Sequence, residues 1–508
     1  MPRRTLVLLA LLAGACTRSG SPGSSSALPP ALDAITDADL RRDLFALASD
    51  TMRGREAGTV DELRAAAWVA EWAREAGLEP AGDDGTYLQF WPMRRTQVAP
   101  SSTVAIGGTT LPMPDEAVLL TPVDARVDAP AIWVGQGRES DLAGVDVRGK
   151  VVAAILSPPD GAPPVGRELT PRRYAMLAAR QRAAFLTARG ALAVVLVSDS
   201  VADTQFRNIA AGWGRGTYEL ATPSVPAPST TAPVAAPPPA TPRAPVIWVR
   251  AAMLDRLRAP RIGAPGARVV ASVTTFRSVV SSANVVARVR GTDARLRDEH
   301  VLFSAHHDGL GTRFVWSGDS IWNGADDNAT TSVALLAIGR ALVKAPPRRS
   351  ALFVWHGAEE VGLLGSRWYV AHSTVPKASI VAVLNGDMIG RNAPDTAALL
   401  GVQPPNRTSS ALAAMALEAN ARVGKFVIDT SWDRASHPES FFTRSDHYPY
   451  VREGIPAVYF STLLHAEYHT PLEEASRIDI PKLARMARWI YATGWAAANA
   501  DARPTFER

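Results

Sequence analysis

The fold is indicated most clearly by residues 301–343, VLFSAHHDGLGTRFVWSGDSIWNGADDNATTSVALLAIGRALV. Its first five residues, VLFSA, are apolar except for one serine, which is typical of a buried strand. A polar loop follows, and residues 331–343 then show apolar side chains at helical spacing. Strand-like runs recur downstream at 351–355, 380–384 and 457–460. This alternation predicts an α/β domain with a mixed, mostly parallel central sheet and helices on both faces.

Histidine and acidic residues follow these predicted strands or lie in the turns between them. In such sheets, ligands bind beyond the carboxyl ends of the strands. Imidazole nitrogens and carboxylate oxygens are the ligands that zinc prefers when no thiolate is available. The residues in question are His306, Asp326, Asp327, Glu359, Glu360, Asp387 and His469.

These residues suffice for a paired metal site. Two histidines and three carboxylates, one of them bridging, fill the protein positions around two ions about 3.5–4 Å apart. The chain has 9 histidines, and none lies before His300. The chemistry is therefore expected in the C-terminal part of the chain.

The order AHHD, GADDN, EE, NGDM and YHTP resembles peptidase family M28, which comprises co-catalytic zinc aminopeptidases and their carboxypeptidase relatives. The resemblance covers roughly residues 37–100 and 290–500. It implies two zinc ions per chain, peptide substrates and hydrolysis of the N-terminal peptide bond.

The resemblance also implies a role for each motif residue. His306 and Asp387 would hold one zinc, Glu360 and His469 the other, and Asp327 would bridge them.

Further roles follow from the same resemblance. Glu359 would be the general base, and Asp308 would orient His306. The peptide bond between Asp327 and Asn328 would be cis. Independently of the resemblance, Tyr468 is a candidate oxyanion donor because it lies beside His469 in the sequence.

Alternatives remain within and beyond this chemistry. A carboxypeptidase or dipeptidase would need cations for the substrate carboxylate, and Arg391 and Arg444 are candidates. An aminopeptidase would need a spare acid for the amine, for which Asp446 and Glu467 are candidates. A glutaminyl cyclase uses a single zinc, and receptor-like relatives lose ligands, so the full ligand set argues against both.

The remaining histidines receive simpler interpretations. His307 and His356 are expected to pack or to form hydrogen bonds. Surface positions are expected for His300, His372 and His437. His447 and His465 precede His469 closely enough to be candidates for lining the substrate site.

The chain is long enough for several domains. Residues 101–290 carry short Val/Ala-rich strands, and DVRGKVVAAILSPPDG with GALAVVLVSD resembles a protease-associated (PA) domain. The predicted organisation is a peptidase part at 37–100, an inserted β-rich PA-like domain at 101–290 with an exposed Pro/Ala-rich loop at 222–245, and a catalytic part at 291–508.

The N-terminus resembles an export signal. Arg3 and Arg4 precede a short apolar run and small residues that end at Cys16, which is the only cysteine. We expect a signal peptide at 1–15, a lipid on Cys16 and a flexible tether at 16–36. The predicted location is the cell envelope, on the outer membrane or the periplasmic face in a Gram-negative cell. The net charge of +5 gives no reason to expect nucleic-acid binding.

Overall fold

The computed structural model describes residues 28–166, 168–221 and 244–507. The predicted signal peptide, Cys16, residues 16–27 of the predicted tether and nearly all of the Pro/Ala-rich loop lie outside these ranges. The described helices are α1 (Asp37–Leu47), α2 (Val60–Glu75), α3 (Pro171–Ala188), α4 (Ser200–Trp213), α5 (Leu254–Leu257), α6 (Thr331–Lys344), α7 (Leu364–Ala371), α8 (Ser410–Ala419), α9 (His447–Arg452) and α10 (Ile480–Asn499).

The strands are numbered in the same way. They are β1 (Glu79–Pro80), β2 (Leu88–Val98), β3 (Thr103–Ile106), β4 (Thr109–Thr110), β5 (Ala117–Leu119), β6 (Ala125–Trp133), β7 (Val151–Ile155), β8 (Ala193–Val197), β9 (Thr217–Leu220), β10 (Val246–Val249), β11 (Pro265–Val273), β12 (Thr275–Val289), β13 (His300–His306), β14 (Gly311–Trp316), β15 (Asp319–Trp322), β16 (Ser350–His356), β17 (Ile380–Gly386), β18 (Thr396–Leu400), β19 (Val427–Ile428) and β20 (Ala457–Ser461).

The larger sheet has the strand order β19-β18-β20-β17-β13-β16-β12-β2-β9, with β1 paired to β12. Its centre, β20-β17-β13-β16, is parallel, and antiparallel strands flank it on both sides. Every residue of β13, β16 and β17 is buried. Continuous apolar runs suit these strands because both faces of the sheet are covered.

Helices cover the two faces of this sheet. One face packs against α1, α2, α6, α8 and α10, and the other packs against α7 and α9. The N-terminal helices are capped by threonines: Thr36 accepts a hydrogen bond from the Asp39 N–H, and Thr59 accepts one from the Asp61 N–H. The predicted mixed α/β architecture is confirmed.

The inserted segment forms a second sheet with the order β4-β3-β11-β6-β7-β8-β10-β5. Helices α3 and α4 pack on one face of it, and α5 lies against the other. The insert is thus an α/β layer structure rather than merely β-rich, because the apolar stripes of α3 and α4 complete its core. Its relation to PA domains stays a prediction.

The insert is shorter than the predicted 101–290. Strand β12 pairs with β2 over residues 275–285 and with β16 over residues 285–289, so the whole strand belongs to the larger sheet. Strand β9, within the predicted insert, also pairs with β2. These pairings join the two units, and they are not visible in local composition. In the described ranges, no helix is long and apolar enough to span a membrane.

Candidate metal centre

The loops after the central strands meet at one edge of the larger sheet. His306 is the last residue of β13, and Asp387 directly follows β17. Glu359 and Glu360 lie in the loop between β16 and α7. Asp327 lies in the helical turn Ala325–Thr330 before α6, and the last of the predicted ligands lies in the loop after β20.

Asp327 stands between two histidines. One carboxylate oxygen, Oδ1, is 3.1 Å from His306 Nε2, and the other, Oδ2, is 3.0 Å from His469 Nε2. His306 Nε2 is also 3.6 Å from Asp387 Oδ1, and His469 Nε2 is 3.2 Å from Glu360 Oε1. The structure therefore brings all five predicted ligands together in the predicted pairs, with Asp327 central.

The donor set fits metal ions rather than internal hydrogen bonding. His306 Nε2, Glu360 Oε1 and Asp387 Oδ1 are buried and have no hydrogen-bond partner among the described residues. Buried polar atoms are nearly always satisfied, so such orphans need an explanation. Two groups of residues have potential ligand atoms that all lie within 4.8 Å of one another: His306, Glu359 and Asp387, and Asp327, Glu360 and His469.

The electrostatics of the centre also favour cations. Burial raises the pKa of the Glu359 carboxyl well above its usual range, and the carboxylates of Asp387 and Glu360 act in the same direction. Burial and the Asp327 carboxylate likewise raise the pKa of Asp387. Several carboxylates at one buried point repel one another, and divalent cations would relieve this repulsion.

Asp308 does more than the predicted contact with His306. Its carboxylate accepts hydrogen bonds from the backbone N–H groups of Glu359 (3.0 Å) and Glu360 (3.2 Å). The contact with His306 Nδ1 is longer, at 3.5 Å. Asp308 therefore links the loop after β13 to the loop that carries both glutamates.

The peptide bond between Asp327 and Asn328 is cis, as the resemblance implied. The Asn328 side chain joins two of the site's loops. Its Nδ2 donates to the Gly386 carbonyl at 3.0 Å, and its Oδ1 accepts from the Met388 N–H at 3.4 Å. Asp387 lies between those two residues.

Glu473 supports the centre and was missed at the level of sequence. Its buried carboxylate accepts hydrogen bonds from the backbone N–H groups of Asp327 (2.6 Å) and His469 (3.2 Å). It thus fixes the backbone of a ligand from each of two loops. Its position four residues after His469, in YHTPLEE, is the only sequence signal that could have identified it.

Arg55 is a second residue that sequence reasoning missed. It is fully buried, and its guanidinium donates to the backbone carbonyls of Leu47, His307, Asn323 and Gly324 at 2.7–3.0 Å. Three of these carbonyls lie beside ligands in the chain, because His307 follows His306, and Asn323 and Gly324 precede the turn that carries Asp327. Arg55 lies more than 250 residues from both loops in the sequence, so no local pattern connects it with them.

Replacing Arg55 by methionine is expected to destabilise the fold and weaken metal binding. Each buried carbonyl left without its donor costs about 1–3 kcal/mol, so a total loss of about 3 kcal/mol or more is expected. Thermal unfolding and zinc affinity measure the two effects. Arg348→Met is the control, because Arg348 pairs with Asp293 just before β16, at the end of that strand away from the metal centre. Unchanged zinc affinity in Arg55→Met would contradict a positioning role.

The candidate groups for the substrate termini are already paired or buried. Arg391 contacts Glu467 at 2.7 Å, and Arg444 contacts Glu439 at 2.7 Å. Asp446 is fully buried. Arg391, Glu467 and Arg444 are therefore already engaged in ion pairs, whereas neither carboxylate oxygen of the buried Asp446 has a hydrogen-bond partner among the described residues.

Tyr468 lies at the centre, as expected of a donor. Its ring stacks on His469 with centroids 3.8 Å apart, and its hydroxyl accepts a hydrogen bond from Arg444 at 3.1 Å. The hydroxyl proton stays available to a second acceptor.

Three histidine predictions are wrong. His300 and His437 are buried rather than on the surface, since His300 lies in β13 and His437 stacks on Trp432. His447 is fully buried between Phe442 and Tyr459, so no part of its ring is exposed to a substrate.

The other histidine predictions agree with the structure. His372 is exposed, His307 packs in the interior, and Tyr450 contacts His356 at 3.2 Å. His465 lines a large cavity beside Tyr468, but not the cavity at the metal centre, so its place at the substrate site stays a prediction.

A cavity of about 530 Å³ opens directly onto the centre. Glu359, Glu360 and His469 line it, together with residues of α3 and α4 from the insert. Asn208 of α4 donates to the carbonyl of His469 at 3.0 Å. The insert therefore forms part of the wall around the candidate metal centre.

Comparison with known proteins identifies relatives. Residues 284–494 match the model of peptidase family M28. An aminopeptidase of Pseudomonas aeruginosa (strain UCBPP-PA14) is 37% identical over 119 residues, which cover 23% of this chain and 20% of that protein. An aminopeptidase of Bacillus subtilis (strain 168) is 27% identical over 188 residues, which cover 36% of this chain and 39% of that protein. The matches thus span about a fifth to two fifths of these relatives.

Solved structures share the fold over nearly the whole chain. An aminopeptidase from Aneurinibacillus sp. strain AM-1 superposes with a TM-score of 0.62 at 17% identity, covering 94% of this chain and 97% of that one. A zinc aminopeptidase from Bacillus subtilis gives 0.60 at 18% identity, covering 95% and 99%. The inserted segment is included in these superpositions, so the two-unit architecture is shared.

Proposed function

The chain carries a peptidase family M28 domain, and from this premise we propose that it is a zinc-dependent exopeptidase that removes N-terminal residues from peptides. The observation that carries the proposal is the position of Asp327, whose two carboxylate oxygens face His306 and His469 separately. This arrangement gives two adjacent ligand groups with one shared residue. Names of relatives and structural neighbours, aminopeptidases among them, support the same reaction.

We propose that the centre holds two zinc ions. His306 and Asp387 would bind one ion, Glu360 and His469 the other, and Asp327 both. When bound, such ions polarise a carbonyl and lower the pKa of water towards neutrality. The orphaned buried atoms of His306, Glu360 and Asp387 are the structural support for this assignment.

Glu359 is proposed as the general base. It lines the cavity, and its Oε2 is 3.9 Å from His306 Nε2, slightly farther than the 3.6 Å of the proposed ligand Asp387. It accepts a proton from the attacking water and passes it to the leaving amine. The Asp308 carboxylate accepts a hydrogen bond from the Glu359 N–H and so fixes the orientation of the loop that carries Glu359.

The hydroxyl of Tyr468 is proposed to donate to the developing oxyanion. Arg444 occupies one lone pair of this hydroxyl at 3.1 Å and so orients it. Positioned donors of this kind stabilise charge that develops in the transition state.

A panel of matched peptides tests the aminopeptidase assignment against the other exopeptidases. A free-amine tripeptide is expected to be cleaved after its first residue, and its N-acetylated form at least about 100-fold more slowly. C-terminal amidation is not expected to abolish cleavage. Loss of the C-terminal residue from the acetylated peptide would identify a carboxypeptidase instead. Cyclisation of an N-terminal glutamine without hydrolysis would identify a glutaminyl cyclase.

We further propose that Cys16 carries a lipid that anchors the exported protein. The support is its place after Arg3, Arg4 and a short apolar run. Cys16→Ser is expected to move the protein from the membrane fraction to the soluble fraction of the cells that make it, with wild type as the control. Equal distribution of the two proteins would contradict the anchor.

A further inference from the structure

The cavity next to the candidate metal centre is lined by more arginines than acids can neutralise. The arginines are Arg172, Arg173, Arg180, Arg215, Arg313 and Arg444. The acids are Glu56, Glu359, Glu360 and Glu439, and two of these belong to the metal centre. The wall therefore presents an excess of positive charge to whatever enters.

The two acids outside the metal centre are already paired. Glu56 contacts Arg215 at 2.8 Å, and Glu439 contacts Arg444 at 2.7 Å. Within the described part of the chain, no carboxylate lies within ion-pair distance of Arg172 or Arg313. In both of these arginines the Nη1 atom is shielded from solvent and has no hydrogen-bond partner among the described residues. A partly buried guanidinium in that state favours an anionic ligand.

These two arginines come from different parts of the chain. Arg172 lies in the first turn of α3 in the insert, whereas Arg313 lies in β14. The Arg313 guanidinium is held over the Trp322 ring, with Cζ 4.5 Å from the ring centroid, and its Nε donates to the Leu310 carbonyl at 3.3 Å. Its orientation is thus fixed before any ligand binds.

The arginines repel one another. Burial lowers the pKa of Arg313 to about 9, and the neighbouring guanidiniums of Arg215 and Arg172 act in the same direction, although the carboxylate of Glu360 opposes them. At neutral pH the side chain remains charged, so a bound anion would relieve the repulsion.

We propose that Arg172 and Arg313 form a carboxylate-binding subsite that selects peptides with a carboxylate close to the scissile bond. This inference rests on the proposed exopeptidase function and specifies its substrate class. The carboxylate is supplied either by the free C-terminus of a short peptide or by an acidic side chain near the N-terminus. Arginine suits this task because its planar fork matches both carboxylate oxygens.

Two pairs of peptides distinguish these sources. Leu-Gly-Gly is compared with its C-terminal amide, and Leu-Asp-Gly-amide is compared with Leu-Asn-Gly-amide, each with the zinc-loaded full chain. Hydrogen bonds to a charged group contribute about 1.5–3 kcal/mol, so the carboxylate member of at least one pair is expected to have a kcat/KM about 10–100-fold higher. The pair that shows the preference identifies the source.

The variants Arg172→Gln, Arg313→Gln and their combination are expected to reduce this ratio, and the double variant is expected to bring it close to one. Arg268→Gln is the control, because this exposed arginine pairs with Asp128 in the sheet of the insert, and it is expected to keep the wild-type ratio. Ratios are compared because they cancel any general loss of active enzyme.

A wild-type ratio near one in both pairs would overturn the subsite, as would a wild-type ratio that persists in the double variant. Calorimetric binding of the same peptides supplies a second readout that does not require turnover. If none of the peptides is cleaved but the arginine-dependent preference appears in binding, the subsite stands and the exopeptidase assignment fails. If cleavage occurs without the preference, the subsite proposal is wrong and the exopeptidase assignment stands.

Discussion

Glu359→Gln is expected to lower kcat by about 10²–10⁴-fold while two zinc ions remain bound, which is the usual effect of losing a general base. Glutamine preserves the shape and one carbonyl oxygen but cannot accept the proton of the attacking water. Glu359 Oε2 is 3.9 Å from the nearest ligand histidine, whereas the carboxylates of the proposed ligands Asp327, Glu360 and Asp387 lie 3.0–3.6 Å from theirs. Zinc binding therefore depends less on Glu359 than turnover does.

The adjacent Glu360 provides the matched control. Its Oε1 is 3.2 Å from His469 Nε2, so Glu360→Gln is expected to lower zinc occupancy or affinity. Emission spectrometry for zinc and turnover of a free-amine peptide are measured on both variants. Metal loss in Glu359→Gln with retention in Glu360→Gln would mean that the two roles are exchanged. Turnover near the wild-type rate in Glu359→Gln would contradict the mechanism.

Asp327→Asn is expected to have the larger effect on metal content, because this one carboxylate faces both histidines. Removing its charge takes a ligand from both ions, and activity should fall by on the order of 10⁴-fold or more as the metals are lost. Both zinc equivalents are expected to weaken together, which titration with a zinc chelator measures. Weakening of one ion only would contradict a bridging role.

Asp326→Asn is the control for that experiment. Asp326 precedes the bridging residue and is equally buried, but its carboxylate accepts a hydrogen bond from the Gly390 N–H at 2.7 Å. It makes none of the ligand contacts, so two zinc ions are expected to remain. Parallel loss of zinc in both variants would indicate that the turn as a whole has been disrupted.

The site could be predicted in large part from local sequence. His306 and Asp387 directly follow apolar runs that fold as parallel strands, and the carboxyl ends of neighbouring parallel strands meet at one edge of a sheet. The strand-forming runs also indicate the α/β class, since each is nearly all apolar, as expected for a strand that is covered on both faces. The information needed for these predictions lies within a few residues of each ligand.

The supporting residues could not be predicted in this way. Arg55 and Asn208 contact the site's backbone from positions more than 250 residues away in sequence. Their partners are backbone carbonyls, which leave no trace in the sequence of the partner. The boundary of the insert was missed for a related reason, because β12 looks like any other strand until its pairing with β2 is known.

Tertiary structure also decides which of the candidate substrate-binding residues are already engaged in ion pairs. Arg391 and Glu467 were separate candidates for opposite ends of a peptide, yet they form an ion pair with each other. The sequence alone does not distinguish Arg172 and Arg313 from the other arginines of the chain. Only the folded chain shows which guanidiniums lack a carboxylate partner.

The zinc content of the purified wild-type chain tests the central claim most directly. The chain is stripped of metal, titrated with zinc and then exchanged into metal-free buffer. Emission spectrometry is expected to show two bound zinc ions per chain at saturation, and turnover of a free-amine tripeptide should rise as they bind. A single equivalent with full turnover would contradict the shared role of Asp327. A fully active protein without metal would contradict the two-metal centre itself.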